Sequence, residues 1–186
     1  SVFKQHPERG LIITRVAFGL SRTPKPTTAY KDLDRWFQEK NTPSPTLADI
    51  REAVLAIRER KFPDRAEVGT AGSFFTNPVV SRARYEELAS RFPDMPCYDT
   101  GAERVKIPAA WILDKVCGLK GYARGNVALF ERQPLILTTR AGACERDVSA
   151  FAAEIIECVE KKTGITLEIE PRTLGGYPHF RTYGRR

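Results

Sequence analysis

The sequence predicts an α+β fold, in which helices and strands share the core, and three observations support this class. Apolar residues recur at steps of three and four over residues 47–57, which is the spacing of one helix face. Turn residues at 99–101 separate two short runs that suit a β-hairpin. Apolar and polar residues alternate over 165–170, which is the period of a half-buried strand.

Glycine, proline and short polar residues interrupt the periodic segments and give the order of the elements. Thr46 and Asp49 suit a reciprocal cap at one helix start, and Gly164 suits the end of the last helix. The predicted elements are a strand over 11–20, helices over 30–40, 46–61 and 81–92, a hairpin of 95–98 with 104–107, a helix from 108 to near 118 with Pro108 as its first residue, strands over 126–130 and 134–139, a helix over 147–162 and a strand over 165–172.

Composition favours a globular chain without a metal or disulfide framework. The 186 residues are 41% hydrophobic, which is enough to build a core. The four cysteines form no Cys-x-x-Cys pair and the two histidines lie near opposite ends, so the spacing indicates neither a zinc site nor a set of disulfides. No apolar run approaches the roughly 20 residues of a membrane helix, and the N-terminus lacks the order of a signal peptide. A soluble cytoplasmic protein without a membrane partner is therefore expected.

The net charge of +7 indicates anionic partners, but the basic residues are scattered along the chain. The densest cluster, over residues 58–61, includes a glutamate, and a nucleic-acid module usually shows a basic helix face or a basic strand with aromatic residues. Nucleic acid is therefore not favoured as a partner. Cations placed for a diphosphate explain the excess equally well, and a generally solvated basic surface explains most of it in either case.

The segment from Gly72 to Pro78 is the strongest local indication of a functional site. Gly72 allows a turn, Pro78 ends any helix, and Phe74 and Phe75 suit apolar surroundings. Ser73 is therefore expected on a rigid bend, partly shielded from water. The alternative is an ordinary loop serine beside buried aromatic residues.

Two glutamates occupy the polar positions of the last predicted strand. Glu168 and Glu170 alternate with apolar neighbours, so the ordinary interpretation is a pair of solvated carboxylates. A functional interpretation of Glu170 requires that its carboxylate is removed from bulk water.

Five motifs occur in a specific order at near-matching spacing. They are Ser1-Val2-Phe3-Lys4, the run 50–58 ending in Lys61-Phe62-Pro63-Asp64, the segment 71–80, the run 108–115 with Leu119-Lys120-Gly121, and Leu167-Glu168-Ile169-Glu170-Pro171. This set resembles UDP-N-acetylenolpyruvoylglucosamine reductase, a flavoenzyme family that completes UDP-N-acetylmuramate for bacterial peptidoglycan. The resemblance extends to about Leu174 and covers only the C-terminal part of that enzyme.

The resemblance implies a division of the chain into functional parts. Residues 1–61 resemble the end of the FAD-binding domain, 62–164 the substrate-binding domain and 165–174 a strand that returns to the first domain, while 175–186 are expected to be a flexible tail. Most of the FAD site in this family comes from N-terminal domains upstream of Ser1, as do a tyrosine that covers the substrate and an arginine beside the catalytic glutamate. The chain is therefore expected to be inactive alone.

The chemistry that the resemblance implies uses NADPH to reduce FAD, which then reduces the enolpyruvyl group of UDP-N-acetylglucosamine enolpyruvate. It makes Ser73 the donor of the proton to C2 and Glu170 the group that stabilises the enol intermediate. A serine hydroxyl is a very weak acid in water, so this role requires a dry site. Phe74 and Phe75 are expected to form its wall.

The resemblance also assigns residues to the UDP-sugar. Lys61 and Lys120 act as charges for the diphosphate, and the amides of Asn77 and Gln133 form hydrogen bonds to its oxygens. For the lysines the alternative is simple surface charge. Arg58 is assigned to the cofactor, with the substrate as the alternative, and no metal ligand is implied.

The sequence departs from the family pattern at two described motifs and in the tail. Thr76 stands where the family usually has lysine, which weakens the expectation of phosphate binding there, and Ile169 stands where proline is common. The tail after Gly176 matches no part of the pattern.

Three hypotheses of function follow from the sequence. The first is the C-terminal part of the reductase, and the second is a UDP-sugar-binding fragment or split subunit without redox activity of its own. The third, a basic nucleic-acid binder, ranks behind both. Bound flavin separates the first from the second, and salt-sensitive affinity for oligonucleotides would support the third.

Overall fold

The computed structural model describes residues 11–101 and 103–171, and it confirms the α+β class. The chain divides into two compact units, Ser1–Val54 and Leu55–Arg186. The functional division at residue 61 stays a prediction, and the tail predicted over 175–186 lies outside the described residues. In chain order the elements are α1 (Lys31–Glu39), α2 (Leu47–Lys61), β1 (Gly69–Ser73), β2 (Val79–Ser81), α3 (Arg82–Arg91), β3 (Tyr98–Asp99), β4 (Arg104–Lys106), α4 (Ala109–Trp111), a π-helical turn (Ile112–Val116), β5 (Ala123–Arg124), β6 (Val127–Phe130), β7 (Gln133–Thr139) and α5 (Glu145–Thr163).

Helix α1 confirms the helix predicted over 30–40. Leu33 and Phe37, which lie one turn apart, are its buried residues. Asn41, at a φ of 51°, adopts the left-handed conformation that ends a helix.

The strand predicted over residues 11–20 is wrong. The structure shows no strand there, and the side chains of Ile12, Phe18 and Leu20 are 84%, 81% and 90% exposed. Apolar and β-branched residues favour a strand only where a neighbouring strand accepts and donates the backbone hydrogen bonds. The described part of the chain provides no ladder for this segment.

The cap predicted at the start of α2 is confirmed. The N–H and the hydroxyl of Thr46 donate to Asp49 Oδ2 at 2.8 and 2.7 Å, and the N–H of Asp49 donates to Thr46 Oγ1 at 3.2 Å. These bonds satisfy backbone donors that the first helical turn leaves open. The helix then runs to Lys61 as the sequence predicts.

Two antiparallel sheets form the second unit. The four-stranded sheet has the order β1-β7-β6-β5, and the three-stranded sheet has the order β2-β4-β3. The predicted hairpin is confirmed as the β3–β4 pair, with Tyr98 opposite Lys106. Gly101 turns it with a φ of 80°, and its N–H donates to Asp99 Oδ1 at 2.9 Å. The strands predicted over 126–130 and 134–139 are β6 and β7.

The hydrophobic core covers one face of the four-stranded sheet. Leu129 of β6 lies opposite Leu137 of β7, and both are buried in one cluster with Phe151 and Ile155 of α5. Neighbouring residues in a strand point to opposite faces, so the paired Ala128 and Thr138 lie on the other face. We call this second side, which carries Ala128 and Thr138, the outer face of the sheet.

Helix α5 is fastened at both ends. The N–H of Cys144 donates to Asp147 Oδ2 at 2.8 Å, and the helix begins two residues earlier than predicted. Gly164 ends it in the left-handed conformation at a φ of 64°, as predicted. Arg84 and Arg91 of α3 donate to the carbonyls of Thr163 and Lys162 at 2.6 and 3.1 Å, so α3 holds the last turn of α5.

The helix predicted from Pro108 differs in its start and its interior. Pro108 is the N-cap residue with a ψ of 115°, and Ala109 is the first helical residue. The helix continues as the π-helical turn, and the loop that follows opens with Gly118 at a φ of 68°. The apolar spacing does not distinguish an α-helix from a π-helical turn of only 5 residues.

The strand predicted over 165–172 is reduced to one bridge, between Phe75 and Ile169, and position 172 lies outside the described residues. The ladder cannot continue as a regular pair in either direction. The N–H of Phe74 is already donated to the carbonyl of Leu135 at 2.9 Å. In the other direction Pro78 has no N–H to donate.

No helix within residues 11–101 and 103–171 has the length and apolar character needed to cross a membrane. In the same ranges no group of three or more histidine, cysteine, aspartate or glutamate side chains is arranged to hold a metal ion.

Candidate functional site

Ser73 lies at the end of β1, on the outer face of the four-stranded sheet. Thr70 pairs with Thr138 and Ser73 with Ile136, so three steps along β1 match two steps along β7. The extra residue marks a β-bulge, and Gly72 within it has a φ of 80°. Directly opposed residues share a face, and so do residues two apart in a strand. The bulge therefore keeps Ser73 on the same face as Thr70.

The predicted shielding of Ser73 by the aromatic pair is wrong for the described chain. Ser73 is exposed, whereas Phe74 and Phe75 are only 5% and 1% exposed and belong to the hydrophobic core. Their rings meet edge to face with centroids 5.2 Å apart. The two rings anchor the backbone after Ser73, which supports the predicted rigidity, but they do not cover its hydroxyl.

Glu170 reaches the same place from a distant part of the chain. The N–H of Thr76 donates to the carbonyl of Glu168, and the N–H of Glu170 donates to the carbonyl of Phe74, both at 2.9 Å. These two bonds flank the Phe75–Ile169 bridge. Glu170 therefore lies across from Phe74, the residue next to Ser73. Its side chain is exposed in the structure of this chain.

Asn77 has a structural contact that the sequence did not reveal. Its side-chain Oδ1 accepts a hydrogen bond from the N–H of Ala109 at 2.8 Å, at the start of α4. This bond fixes the orientation of the amide, and the Nδ2 amino group can donate hydrogen bonds to a ligand. Asn77 is otherwise exposed.

Lys120 and Gln133 lie next to a close contact between the loop of Gly121 and the turn of Glu131. Lys120 is exposed in a loop bounded by Gly118 and Gly121, whose φ values are 68° and 74°. A Cβ on Gly121 would lie 3.6 Å from the Cβ of Glu131, so the loop packs against the turn that leads into Gln133. Gln133 is the first residue of β7 and pairs with Phe130.

Lys61 follows Arg60, whose carbonyl contacts the turn that leads into Gln133. Arg132 donates from Nη1 to the carbonyl of Arg60 at 3.2 Å, which ties the end of α2 to the turn before Gln133. Gln133 lies three residues along β7 from the partner of Ser73, a distance of roughly 10 Å in a strand. The contacts of Arg60 and Gly121 therefore place the backbones next to Lys61 and Lys120 at the turn that precedes Gln133, near the end of the sheet that carries Ser73.

Arg58 is not joined to this group by any contact seen among the described residues. It is exposed, and its guanidinium lies over the ring of Phe62 at 5.0 Å from the centroid. This stacking is a cation–π contact within the end of α2 and the residue after it.

Two clefts in the second unit lie near the candidate residues, but among those residues only Asn77 lines either cleft in the described part of the chain. The larger, of about 550 Å³, lies on the outer face and is lined in part by Phe62, Ala128 and Thr138. The smaller, of about 400 Å³, is lined in part by Thr76 and Asn77. Neither cleft is lined by Ser73 or Glu170 in the described part of the chain.

The sequence did not indicate a polar cluster that fixes the carboxy-terminal side of the Lys120 loop. Glu154 of α5 accepts from the hydroxyl of Tyr122 and, at 2.9 Å, from Arg124 Nη1. The hydrogen bond from Tyr122, followed by that from Arg124, holds the pKa of Glu154 below its usual value. The same bond to Glu154 raises the pKa of Tyr122.

The amino-terminal side of that loop follows the π-helical turn, which also contacts α5. Lys162 of α5 donates to the carbonyl of Val116 at 3.0 Å, and burial raises the pKa of the neighbouring Cys117 to about 12. Thiolate formation at Cys117 is therefore suppressed near neutral pH. The loop is thus fastened to α5 on both sides, which limits the positions that Lys120 can occupy.

Sequence reasoning also missed Thr70 and Arg132. Thr70 Oγ1 accepts from the N–H of Gly72 at 3.1 Å. A threonine two residues before a glycine is a turn signal of the kind that threonine hydroxyls provide. Arg132 carried no such local signal, because its partner, the carbonyl of Arg60, is distant in sequence.

Comparisons with known proteins identify the family of the chain. The sequence profile described as "UDP-N-acetylenolpyruvoylglucosamine reductase, C-terminal domain" matches residues 64–174. Proteins named UDP-N-acetylenolpyruvoylglucosamine reductase from Chromobacterium violaceum, Azoarcus sp. (strain BH72) and Bacteroides fragilis are 40%, 43% and 39% identical to the chain over 174, 171 and 170 residues.

These alignments cover 94%, 92% and 91% of this chain but 51%, 49% and 50% of the respective relatives. The chain therefore spans about half the length of the relatives it matches. Both the profile and the relatives identify the chain as a member of the UDP-N-acetylenolpyruvoylglucosamine reductase family, by that enzyme's C-terminal domain.

Proposed function

We propose that this chain is the substrate-binding and proton-donating part of an FAD-dependent reductase. This enzyme uses NADPH to convert UDP-N-acetylglucosamine enolpyruvate to UDP-N-acetylmuramate for peptidoglycan. The observation that carries the proposal is the pairing of residues 74–76 with 168–170, which brings the backbone of Glu170 next to that of Ser73. The printed name of the relatives supports the same reaction.

The described residues do not fit FAD by themselves. Arg58 stacks on Phe62, and neither cleft includes Arg58, Ser73 or Glu170. We therefore assign the flavin site chiefly to the amino-terminal half that the relatives have and that this chain does not match. A reduced flavin held there would supply the hydride for the enolpyruvyl group, while the residues of this chain would handle the proton and the negative charge.

Ser73 donates the proton in this proposal. After hydride addition at C3, electron density accumulates at C2 and on the adjacent carboxylate. The O–H bond of Ser73 breaks as a C–H bond forms at C2, and the serine oxygen later regains a proton from water. So weak an acid serves only in a water-excluded site. Because Ser73 is exposed here, that cover must come from the amino-terminal half.

Glu170 meets the substrate carboxylate beside C2. Facing a carboxylate, Glu170 can stabilise the enol that forms between hydride and proton transfer only as a carboxylic acid that donates a hydrogen bond. The hydrogen bond from the Glu170 N–H to the carbonyl of Phe74 holds the backbone of Glu170 close to that of Ser73. In this proposal the Glu170 side chain acts on the substrate carboxylate and the Ser73 side chain acts on C2.

The diphosphate and sugar are bound by residues around the turn before β7. Lys120 and Lys61 provide charges, and Gln133 provides an amide at the first residue of the strand. Asn77 presents Nδ2, because its Oδ1 is used by Ala109. The amide therefore suits an acceptor oxygen of the ligand.

A second candidate function is a UDP-sugar-binding module without redox chemistry. Contacts within this chain place the backbones next to Lys61 and Lys120 at the turn before Gln133, so ligand binding does not require the flavin. The two candidates differ in flavin content and in turnover.

The test fuses the amino-terminal half of the Azoarcus reductase to this chain. We expect a yellow protein that oxidises NADPH rapidly only when the enolpyruvyl substrate is present, with UDP-N-acetylmuramate as product. A flavin-loaded fusion whose NADPH oxidation does not respond to the substrate contradicts the reductase. If that fusion nevertheless binds UDP-N-acetylglucosamine, the binding module is supported instead.

A further inference from the structure

We propose that Thr70 is a positioning residue for the Ser73 hydroxyl, an inference that rests on the proposed role of Ser73 as proton donor. Thr70 lies three residues before Ser73 in the same strand, and the β-bulge falls between them. Its hydroxyl oxygen accepts a hydrogen bond from the N–H of Gly72 at 3.1 Å in a partly buried position. Thr70 therefore acts on the residue that immediately precedes Ser73.

The bulge decides which face of the sheet Ser73 occupies. In a regular strand, residues three apart point to opposite faces, so Ser73 would share neither the face of Thr70 nor the outer face. The extra residue restores the outer face, because Ser73 then lies opposite Ile136 while Thr70 lies opposite Thr138. Loss of the bulge would turn the hydroxyl toward the core side.

Within the bulge, the N–H of Gly72 is a backbone donor that needs an acceptor. Gly72 has a φ of 80°, and its N–H donates to Thr70 Oγ1 at 3.1 Å. An unsatisfied N–H beside a packed sheet is costly, so the threonine hydroxyl stabilises this one conformation of Gly72 over regular pairing.

The other side of Ser73 is fixed by the backbone and the core. Phe74 donates its N–H to the carbonyl of Leu135 at 2.9 Å, and its ring is buried. The Thr70 hydroxyl thus fixes, through Gly72, the backbone on the amino-terminal side of Ser73. Small displacements of a catalytic group cost up to about a hundredfold in rate.

The experiment compares Thr70→Val with Thr70→Ser in the flavin-loaded fusion enzyme. Valine keeps the shape and removes the acceptor, whereas serine keeps the acceptor. For Thr70→Val we expect reoxidation of reduced flavin by the enolpyruvyl substrate to slow by about ten- to a hundredfold. The reduction of flavin by NADPH and the KM for the UDP-sugar should stay within about twofold, and Thr70→Ser should restore most of the rate.

Thr139→Val is the matched control, because Thr139 is a threonine of the adjacent strand whose hydroxyl contacts the carbonyl of Gly69 at 3.5 Å. We expect this variant to keep the unmodified reoxidation rate. Equal slowing in both variants, or a rise in KM without a change in kcat for Thr70→Val, overturns the positioning role.

The variant Ser73→Ala distinguishes the positioning role of Thr70 from the proposed proton-donor role of Ser73. If Ser73→Ala reoxidises normally, the proposed proton donor is wrong. If Ser73→Ala is slow and Thr70→Val is fast, only the role of Thr70 is wrong.

A second measurement uses the chain as given and does not depend on the fusion. In amide hydrogen exchange, the N–H of Gly72 should exchange at least about tenfold faster in Thr70→Val than in the unmodified chain or in Thr70→Ser. An unchanged exchange rate at Gly72 overturns the proposal, because the hydroxyl then does not hold the bulge.

Discussion

At the scale of single residues, a main-chain hydrogen bond places the backbone of Glu170 beside Phe74, the residue after Ser73. The bond from the Glu170 N–H to the carbonyl of Phe74 fixes the backbone position of Glu170, while its carboxyl group lies at the end of a flexible side chain. The resemblance of the motifs named both Ser73 and Glu170, whereas local pattern left each of them with an ordinary solvated alternative. The wrong expectation was shielding, because two aromatic residues after a serine predict a buried segment and do not predict which side of it stays open.

Asn77 allows ligand binding and stability to be separated at one position. Asn77→Asp keeps an acceptor for the N–H of Ala109, so we expect the free energy of unfolding to stay within about 0.5 kcal/mol of the unmodified chain. Asn77→Ala leaves that N–H without its partner and should cost about 1–2 kcal/mol in urea denaturation.

Both variants lose the outward donor, so calorimetry with UDP-N-acetylglucosamine should show at least about tenfold weaker binding for each. Equal loss of stability in the two variants would show that the contact with Ala109 is not what Asn77 contributes to the fold.

At the scale of the elements, helices were easier to predict than strands. The cap of Thr46 with Asp49 and the end of α5 at Gly164 are local interactions within a few residues, and both are confirmed. The segments 11–20 and 165–172 have strand-like patterns, but a strand exists only where a partner accepts its hydrogen bonds. The bulge at Gly72 was missed for the same reason, since it is defined by the register against β7.

Helix α5 gives a stability prediction that depends on pH. The N–H of Cys144 holds the pKa of Asp147 below its usual 3.8, so the folded state binds a proton at this carboxyl less readily than the unfolded state. The stabilisation from Asp147 is therefore fully present above about pH 4 and is lost as the pH falls through the lower, folded pKa.

We expect Asp147→Asn to lower the urea midpoint at pH 6 and to leave it unchanged at pH 2. A difference between the two proteins that stays the same at both pH values would mean that the carboxylate charge is not responsible.

At the scale of the whole molecule, the chain spans about half the length of its relatives, and among its described residues Arg58, Ser73 and Glu170 line neither of the two clefts. The net charge of +7 was compatible with a nucleic-acid partner, with a diphosphate or with a solvated surface. In our proposal Lys61 and Lys120 serve the diphosphate, because the contacts of Arg132 with Arg60 and of Gly121 with Glu131 place their neighbours at one turn. Sequence spacing alone could not show this, since the contacts of Gly121 with Glu131 and of Arg132 with Arg60 are tertiary.

Lys120 tests whether the charge is specific. In the chain as given, we expect Lys120→Met to weaken the binding of UDP by about tenfold in calorimetry at physiological salt, because its loop is fastened on both sides. Lys115→Met is the matched control, since Lys115 is an exposed lysine of the preceding π-helical turn that pairs with Asp114 at 3.4 Å. Equal weakening by both substitutions would indicate a general basic surface.

The most direct test of the central claim is stopped-flow flavin kinetics of Ser73→Ala in the flavin-loaded fusion enzyme. We predict that NADPH reduces the flavin at the unmodified rate, while reoxidation by the enolpyruvyl substrate slows by at least about a hundredfold because C2 has lost its proton donor. Reoxidation of the Ser73→Ala enzyme at the unmodified rate would contradict the assignment of Ser73.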